Sequence, residues 1–115
     1  EEIKRMALAL NVFQTIPYVA PTGGAVGIYT APVGYTGVVL LAQAANVGTV
    51  TRTVSLSHKR GSTTTEIVKD LPIEASDTAN LLPGKLVLET GDIMMLEANN
   101  GSDVKFLGSV LETLN

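Results

Sequence analysis

The sequence predicts an all-β fold: a single-domain antiparallel β-sandwich, jelly-roll-like, of about eight strands. Three observations carry the prediction. Clusters of Gly, Pro, Asn and Asp recur at the roughly 8–12-residue spacing typical of sandwiches. The segments between them are rich in Val, Ile, Thr and Leu. The composition is 45% hydrophobic but only 4% aromatic, so aliphatic side chains must fill the thin interior between two packed sheets. A chain of 115 residues suits one domain, able to bury about two thirds of the surface its unfolded form exposes.

The elements follow in order. Residues 7–16 are apolar and β-branched enough for a strand that ends at Pro17, and Pro21-Thr22-Gly23-Gly24 breaks the pattern. Residues 26–30 form a short second strand, and 31–37 a connector whose Pro and Gly supply the dihedrals of a reversal. The run Val-Val-Leu-Leu-Ala-Gln-Ala-Ala over 38–45 reads as a central strand. Residues 49–58 alternate: Val50, Val54 and Leu56 point to the core, and Thr49, Thr51, Thr53, Ser55 and Ser57 make a hydroxyl-rich outer face. Arg52 and His58 fall on the apolar side by parity, which calls for a bulge or an edge. After the Arg60-Gly61-Ser62 turn, 63–69 lead into a further strand, and Pro72 marks an edge or a strand end. Residues 74–84 read as a loop with at most one helical turn. Strands then follow at 85–89 and 93–98, separated by the tight turn Thr90-Gly91-Asp92. Asn99-Asn100-Gly101-Ser102 is the strongest hairpin signal, because Asn-Gly accepts the positive φ angles of a type I′ turn, and 103–114 close the sheet. Met6-Ala7-Leu8 reads as a natural start, so the domain is placed at 6–115, with 1–5 as an upstream extension or tail.

Composition excludes several function classes. A net charge of −3 offers no sequence-independent attraction to phosphate backbones, so no nucleic-acid partner is expected. The longest strongly apolar stretch, 36–47, is far short of the roughly 20 residues that span a bilayer as a helix, so no membrane partner is expected either. Without Cys there is no disulfide, thiolate or Cys-based zinc chemistry, which fits synthesis in a reducing cytoplasm. With one His as well, an enzyme would have to run on carboxylates, hydroxyls or lysine. No enzymatic activity and no cofactor are expected.

Few candidate sites stand out. His58, Lys59 and Arg60 form the only concentrated basic patch, at a hairpin tip, where they serve either polar contact with a partner or edge protection. Glu66, Asp70, Glu74 and Asp77 lack the rhythm of a calcium loop and read as solvated charges. Gly23 to Gly27 lacks the Lys-Ser/Thr ending of a phosphate-binding loop. The glycosylation pattern at Asn100-Gly101-Ser102 is expected to be idle in a cytoplasmic product. Apolar residues near the chain ends, Leu8, Leu10, Val12, Phe13, Leu111 and Leu114, with Tyr18 and Tyr35 beside Pro and Gly, are the candidate interface.

Three segments carry a resemblance: Val38-Val39-Leu40-Leu41-Ala42-Gln43-Ala44-Ala45-Asn46-Val47; Ser57-His58-Lys59-Arg60; and the stretch from Asp77-Thr78-Ala79-Asn80 through Leu88-Glu89-Thr90-Gly91-Asp92. With the ending Lys105-Phe106-Leu107-Gly108-Ser109-Val110-Leu111-Glu112, the chain resembles small β-sandwich virion structural proteins of tailed bacteriophages, of the T-even-like marine cyanophage type. The resemblance implies a non-enzymatic protein made in the host cytoplasm and built into the virion as capsid decoration, neck, or tail and baseplate accessory. Its partners would be itself, as a trimer or hexamer, and other virion proteins. A host-surface or glycan-binding module of a phage fibre or adhesin is the competing reading; it asks for exposed, co-planar tyrosines around a shallow groove.

Overall fold

The computed structural model describes residues 10–20 and 23–115. Nine strands lie in two antiparallel sheets: β1 (Asn11–Val19), β2 (Val26–Thr30), β3 (Tyr35–Asn46), β4 (Arg52–Arg60), β5 (Thr63–Ile73), β6 (Thr78–Asn80), β7 (Leu86–Leu88), β8 (Ile93–Ala98) and β9 (Val104–Leu114). One sheet has the order β1-β9-β3-β6, with β7 also pairing β3; the other has the order β2-β8-β4-β5. The predicted sandwich is therefore the observed architecture.

Alternation builds the interior. On β9, Val104, Phe106, Gly108 and Val110 face inward, and their partners Asn46, Ala44, Ala42 and Val39 on β3 do the same. From the opposite sheet come Val54 and Leu56 of β4 and Met94, Leu96 and Ala98 of β8. Leu81 and Leu88 complete the aliphatic core. The expected central strand is confirmed in β3, which pairs β9 on one side and β6 and β7 on the other. Gly37 on β3 is required by a close approach, since a side chain there would press on the Tyr29 ring.

The structure departs from the sequence reading at five places. Strand β1 runs through Pro17 to Val19, and the expected part at 7–9 lies outside the described residues. Strand β4 starts at Arg52, leaving Val50 exposed in the preceding loop. Ser55 and Ser57 are only 5% and 8% exposed; bulges in β5 bring Asp70 onto Ser55, whose Oγ accepts from the Asp70 N–H at 2.8 Å, and Ser57 pairs with Glu66. The stretch 74–84 contains the short strand β6 rather than only a loop. The Asn99–Ser102 signal does not make a hairpin: β8 and β9 belong to different sheets, and a 3-10 turn, Gly101–Asp103, carries the chain between them.

Polar braces close both ends of the sandwich. At one end Asn46 is fully buried and ties β3 to the edge of β5, while Arg52 donates to Asp103 Oδ2 from Nε at 2.9 Å and from Nη2 at 2.7 Å. Gly48 is required there, because a Cβ would collide with the Asp103 carboxylate. At the other end Tyr29 of β2 donates its hydroxyl across the interior to Glu112 of β9.

Candidate interaction surfaces

The basic trio lies at the Tyr29 end, and most of it is bonded internally. Asp92, on the turn between β7 and β8, is 2% exposed. Its Oδ1 accepts from Arg60 Nε at 2.9 Å, and its Oδ2 accepts from Arg60 Nη2 at 2.7 Å and from the Glu89 N–H at 2.9 Å. His58 Nε2 lies 3.0 Å from the same Oδ2. The Arg60 hydrogen bonds hold the Asp92 carboxyl well below the usual carboxylate range, with His58 and the Glu89 amide adding to the effect, and they raise the Arg60 guanidinium in return. The carboxylate that His58 meets is therefore Asp92. Among the described residues, no three His, Cys, Asp or Glu side chains are grouped to hold a metal ion.

Glu112 is a carboxylate only 6% exposed, held by the Tyr29 hydroxyl and by Gln14 Nε2 at 3.3 Å. Burial, and then the bond to Glu112, push the Tyr29 phenol above its ordinary value. A phenol raised in the folded state contributes stability that is complete below about pH 10 and fades as pH rises further. Alkaline unfolding should therefore begin at lower pH in the wild type than its neutral stability suggests, and Tyr29→Phe should lose that alkaline slope. The same variant should lose about 1–3 kcal/mol at pH 7, because Glu112 keeps only its Gln14 partner. Urea unfolding at pH 7 and pH 11 checks both; equal slopes in the two proteins would refute the assignment.

The described candidate interface residues fall into two groups. Leu10, Leu114 and Tyr35 form one cross-strand row, linked by the Leu114 N–H to the Leu10 carbonyl at 2.7 Å and by the Tyr35–Leu114 register. Phe13 and Leu111 face each other three register positions further in and, by alternation, on the other face of the sheet, and Val12 lies opposite Glu112 with its side chain turned inward. Tyr18 is apart from them, opposite Phe106 towards the far end of the sheet. Tyr18 and Tyr35 therefore do not share a groove. Leu8 lies outside the described residues.

Sequence reasoning missed how far this patch extends. Phe13, Leu111, Val38 and Val87 are successive register partners across β1, β9, β3 and β7, making one apolar row on the outer face of the sheet. Phe13 is 76% exposed at one end of this row, and Val87 is exposed at the other. The available signal was β9 itself, whose odd positions Leu107 and Leu111 are as apolar as its core-facing even ones. On the outer face of the other sheet, Thr53, Ser55, Asp70, Glu97 and Asn99 line a polar depression of about 300 Å³.

The class defined by these features is a two-sheet antiparallel β-sandwich whose outer face, rather than any cleft, carries the unsatisfied surface. No family model and no curated protein matches the sequence. Among solved structures, the chain is similar to one in the acidic stable capsid structure of Helicobacter pylori bacteriophage KHP30. The TM-score is 0.57 at 16% identity, over 92% of this chain and 89% of that one, a likeness of fold.

Proposed function

We propose that this protein is a non-enzymatic structural component of a tailed-phage virion, made in the host cytoplasm and acting through protein–protein contacts. The observation that carries the reading is the fold similarity to a chain of a phage capsid structure along nearly the whole length of both chains. The strand order supports it. Most connections cross from one sheet to the other, and β1-β9-β3-β6 facing β2-β8-β4-β5 is the order that interlocked Greek keys give in a jelly roll, an architecture used by capsid and lectin domains. The exposed apolar row on the outer face fits a part that packs against copies of itself and other virion proteins rather than one that turns over a substrate. Capsid decoration, neck, and tail or baseplate accessory are the positions proposed.

The test is quantitative mass spectrometry of density-purified particles of the phage that encodes the chain. The expected result is co-purification at a ratio to the major capsid protein that matches a symmetric position. Absence from the particles sinks the reading. The glycan-binding alternative retains the polar depression but not the tyrosine platform, since Tyr18 and Tyr35 sit towards opposite ends of their sheet. Saturable binding of a surface glycan that is lost on Ser55→Ala and Glu97→Gln would favour it.

A further inference from the structure

We infer that two copies of this chain join through the free edge of β1, pairing antiparallel about a two-fold axis beside Phe13. The inference rests on the reading of the protein as an assembling part, but not on which particle contains it.

Strand edges are where sheets grow, and natural proteins guard the ones that must stay single. The edge strand β5 is guarded: it carries Glu66, Lys69, Asp70 and Pro72, and its register is broken by bulges. The edge strand β2 has only five residues and a register shift, and β6 and β7 have three residues each. Strand β1 differs on every count. Its nine residues carry no charge, their register with β9 is unbroken, and β9 is their sole strand partner among the described residues.

The hydrogen-bond phase shows which groups the edge offers. The Leu114 N–H bonds the Leu10 carbonyl, and the Ala20 N–H bonds the Val104 carbonyl at 3.0 Å. Both lie on the β1–β9 register, so the even residues of β1 make the bonds to β9. The odd residues then point their backbone groups to the open side: N–H and C=O of Asn11, Phe13, Thr15 and Val19, and the C=O of Pro17. Pro17 sits where its missing N–H costs the existing ladder nothing, which is why the strand continues through it. It also limits where a partner can pair.

A second copy is the occupant that fits. Across a two-fold axis beside Phe13 the residue at the axis meets itself and those next to it meet near neighbours, so a charge at the axis would face its own sign. The stretch Asn11–Val19 has none. An axis beside Phe13 sets Phe13 opposite Phe13 of the second copy and Asn11 opposite its Thr15, giving six backbone hydrogen bonds with Pro17 outside the paired donors. Phe13, 76% exposed, gains an aromatic neighbour, and the outer-face row from Phe13 to Val87 becomes continuous across the pair.

The test needs no other partner: native mass spectrometry and analytical ultracentrifugation of the full chain. A concentration-dependent dimer is expected. Phe13→Lys and Phe13→Asp should each raise its dissociation constant at least tenfold, and mixing the two should restore the dimer, because Phe13 meets Phe13 of the second copy. Thr15→Pro should weaken it similarly by removing edge donors without touching the ladder to β9, with circular dichroism checking that the fold is kept. A monomer at all concentrations, an odd-numbered ring, or a dimer indifferent to all three substitutions would overturn the proposal. A monomer found in purified particles sinks the pairing alone; a dimer absent from particles sinks the virion reading alone.

Discussion

Replacing Asn46 with alanine should destabilise the protein by about 4 kcal/mol, more than any other single side chain discussed above. Every polar group of this residue is used. Nδ2 donates to the carbonyls of Val50 at 2.7 Å and Ile73 at 2.8 Å, and Oδ1 accepts from the Gly48 N–H at 2.9 Å. Its backbone N–H bonds the Asp77 carbonyl at 2.9 Å, and its C=O accepts from the Ser76 N–H at 2.9 Å. Alanine keeps the backbone bonds but strands two carbonyls and an N–H. Each buried orphan costs roughly 1–3 kcal/mol. Ile73 is buried, so its carbonyl bears the full penalty, whereas the exposed Val50 loop can recruit water. Asn46→Asp should be worse still, since it presents carboxylate oxygens to carbonyl oxygens. Urea unfolding at pH 7 measures both variants. A loss below about 1 kcal/mol for Asn46→Ala, or an aspartate variant more stable than the alanine one, would show that the hydrogen bonds do not set the stability of this end.

Asp92→Asn should show the second-largest effect, with a pH signature that Asn46 variants lack. Asparagine preserves shape but loses the charge that Arg60 and His58 address, and a loss of about 2 kcal/mol at pH 7 is expected, moderated by the solvent exposure of Arg60. The sign with pH follows from the depressed carboxyl. A group whose pKa is lower in the folded state contributes stability that is complete above its unfolded value of about 3.9 and is lost as pH falls through the folded value. The stability gap between wild type and variant should therefore be constant from pH 7 to about pH 5 and close progressively below pH 4. Thermal unfolding at pH 7, 5, 3 and 2 reads this directly. A gap that widens in acid would mean that Asp92 is not the carboxylate being titrated.

The elements read correctly from sequence are those whose local chemistry has one meaning. The strand at Val26–Thr30 is bounded by Gly and Pro, the apolar run of β3 is long enough to demand cover, and Gly91-Asp92 makes the turn it signals, with Gly91 at φ 88°. The misreadings share a cause: local chemistry shows that a chain turns, but not which sheet it enters. Asn100-Gly101 does sit between two strands, yet those strands belong to different sheets. Pro17 looked like a terminator because a central strand cannot hold proline, and only the edge position of β1 and its hydrogen-bond phase permit it. Ser55 alternates as part of a solvated face should, but Asp70, fifteen positions later, closes on it. The candidate site was legible as a set of apolar residues near both chain ends. Their convergence on one end of one sheet was not, because it depends on β9 lying between β1 and β3.

That placement of β9 governs when the sheet holding β1 and β3 can close. The strand that fills the gap between β1 and β3 is the last of the nine in chain order, and so the last of them to be synthesised. Until it arrives, β1 has no strand to bond, and the apolar length of β3 has an open side on the ribosome-bound chain. Closure joins segments about ninety residues apart in a single step, the long-range kind of event that makes β folds slow and cooperative. The same event that completes the core leaves β1 with one side bonded and, among the described residues, the other open. An edge able to recruit a second molecule therefore exists only on chains that have finished folding, which orders the two processes in time without any separate control.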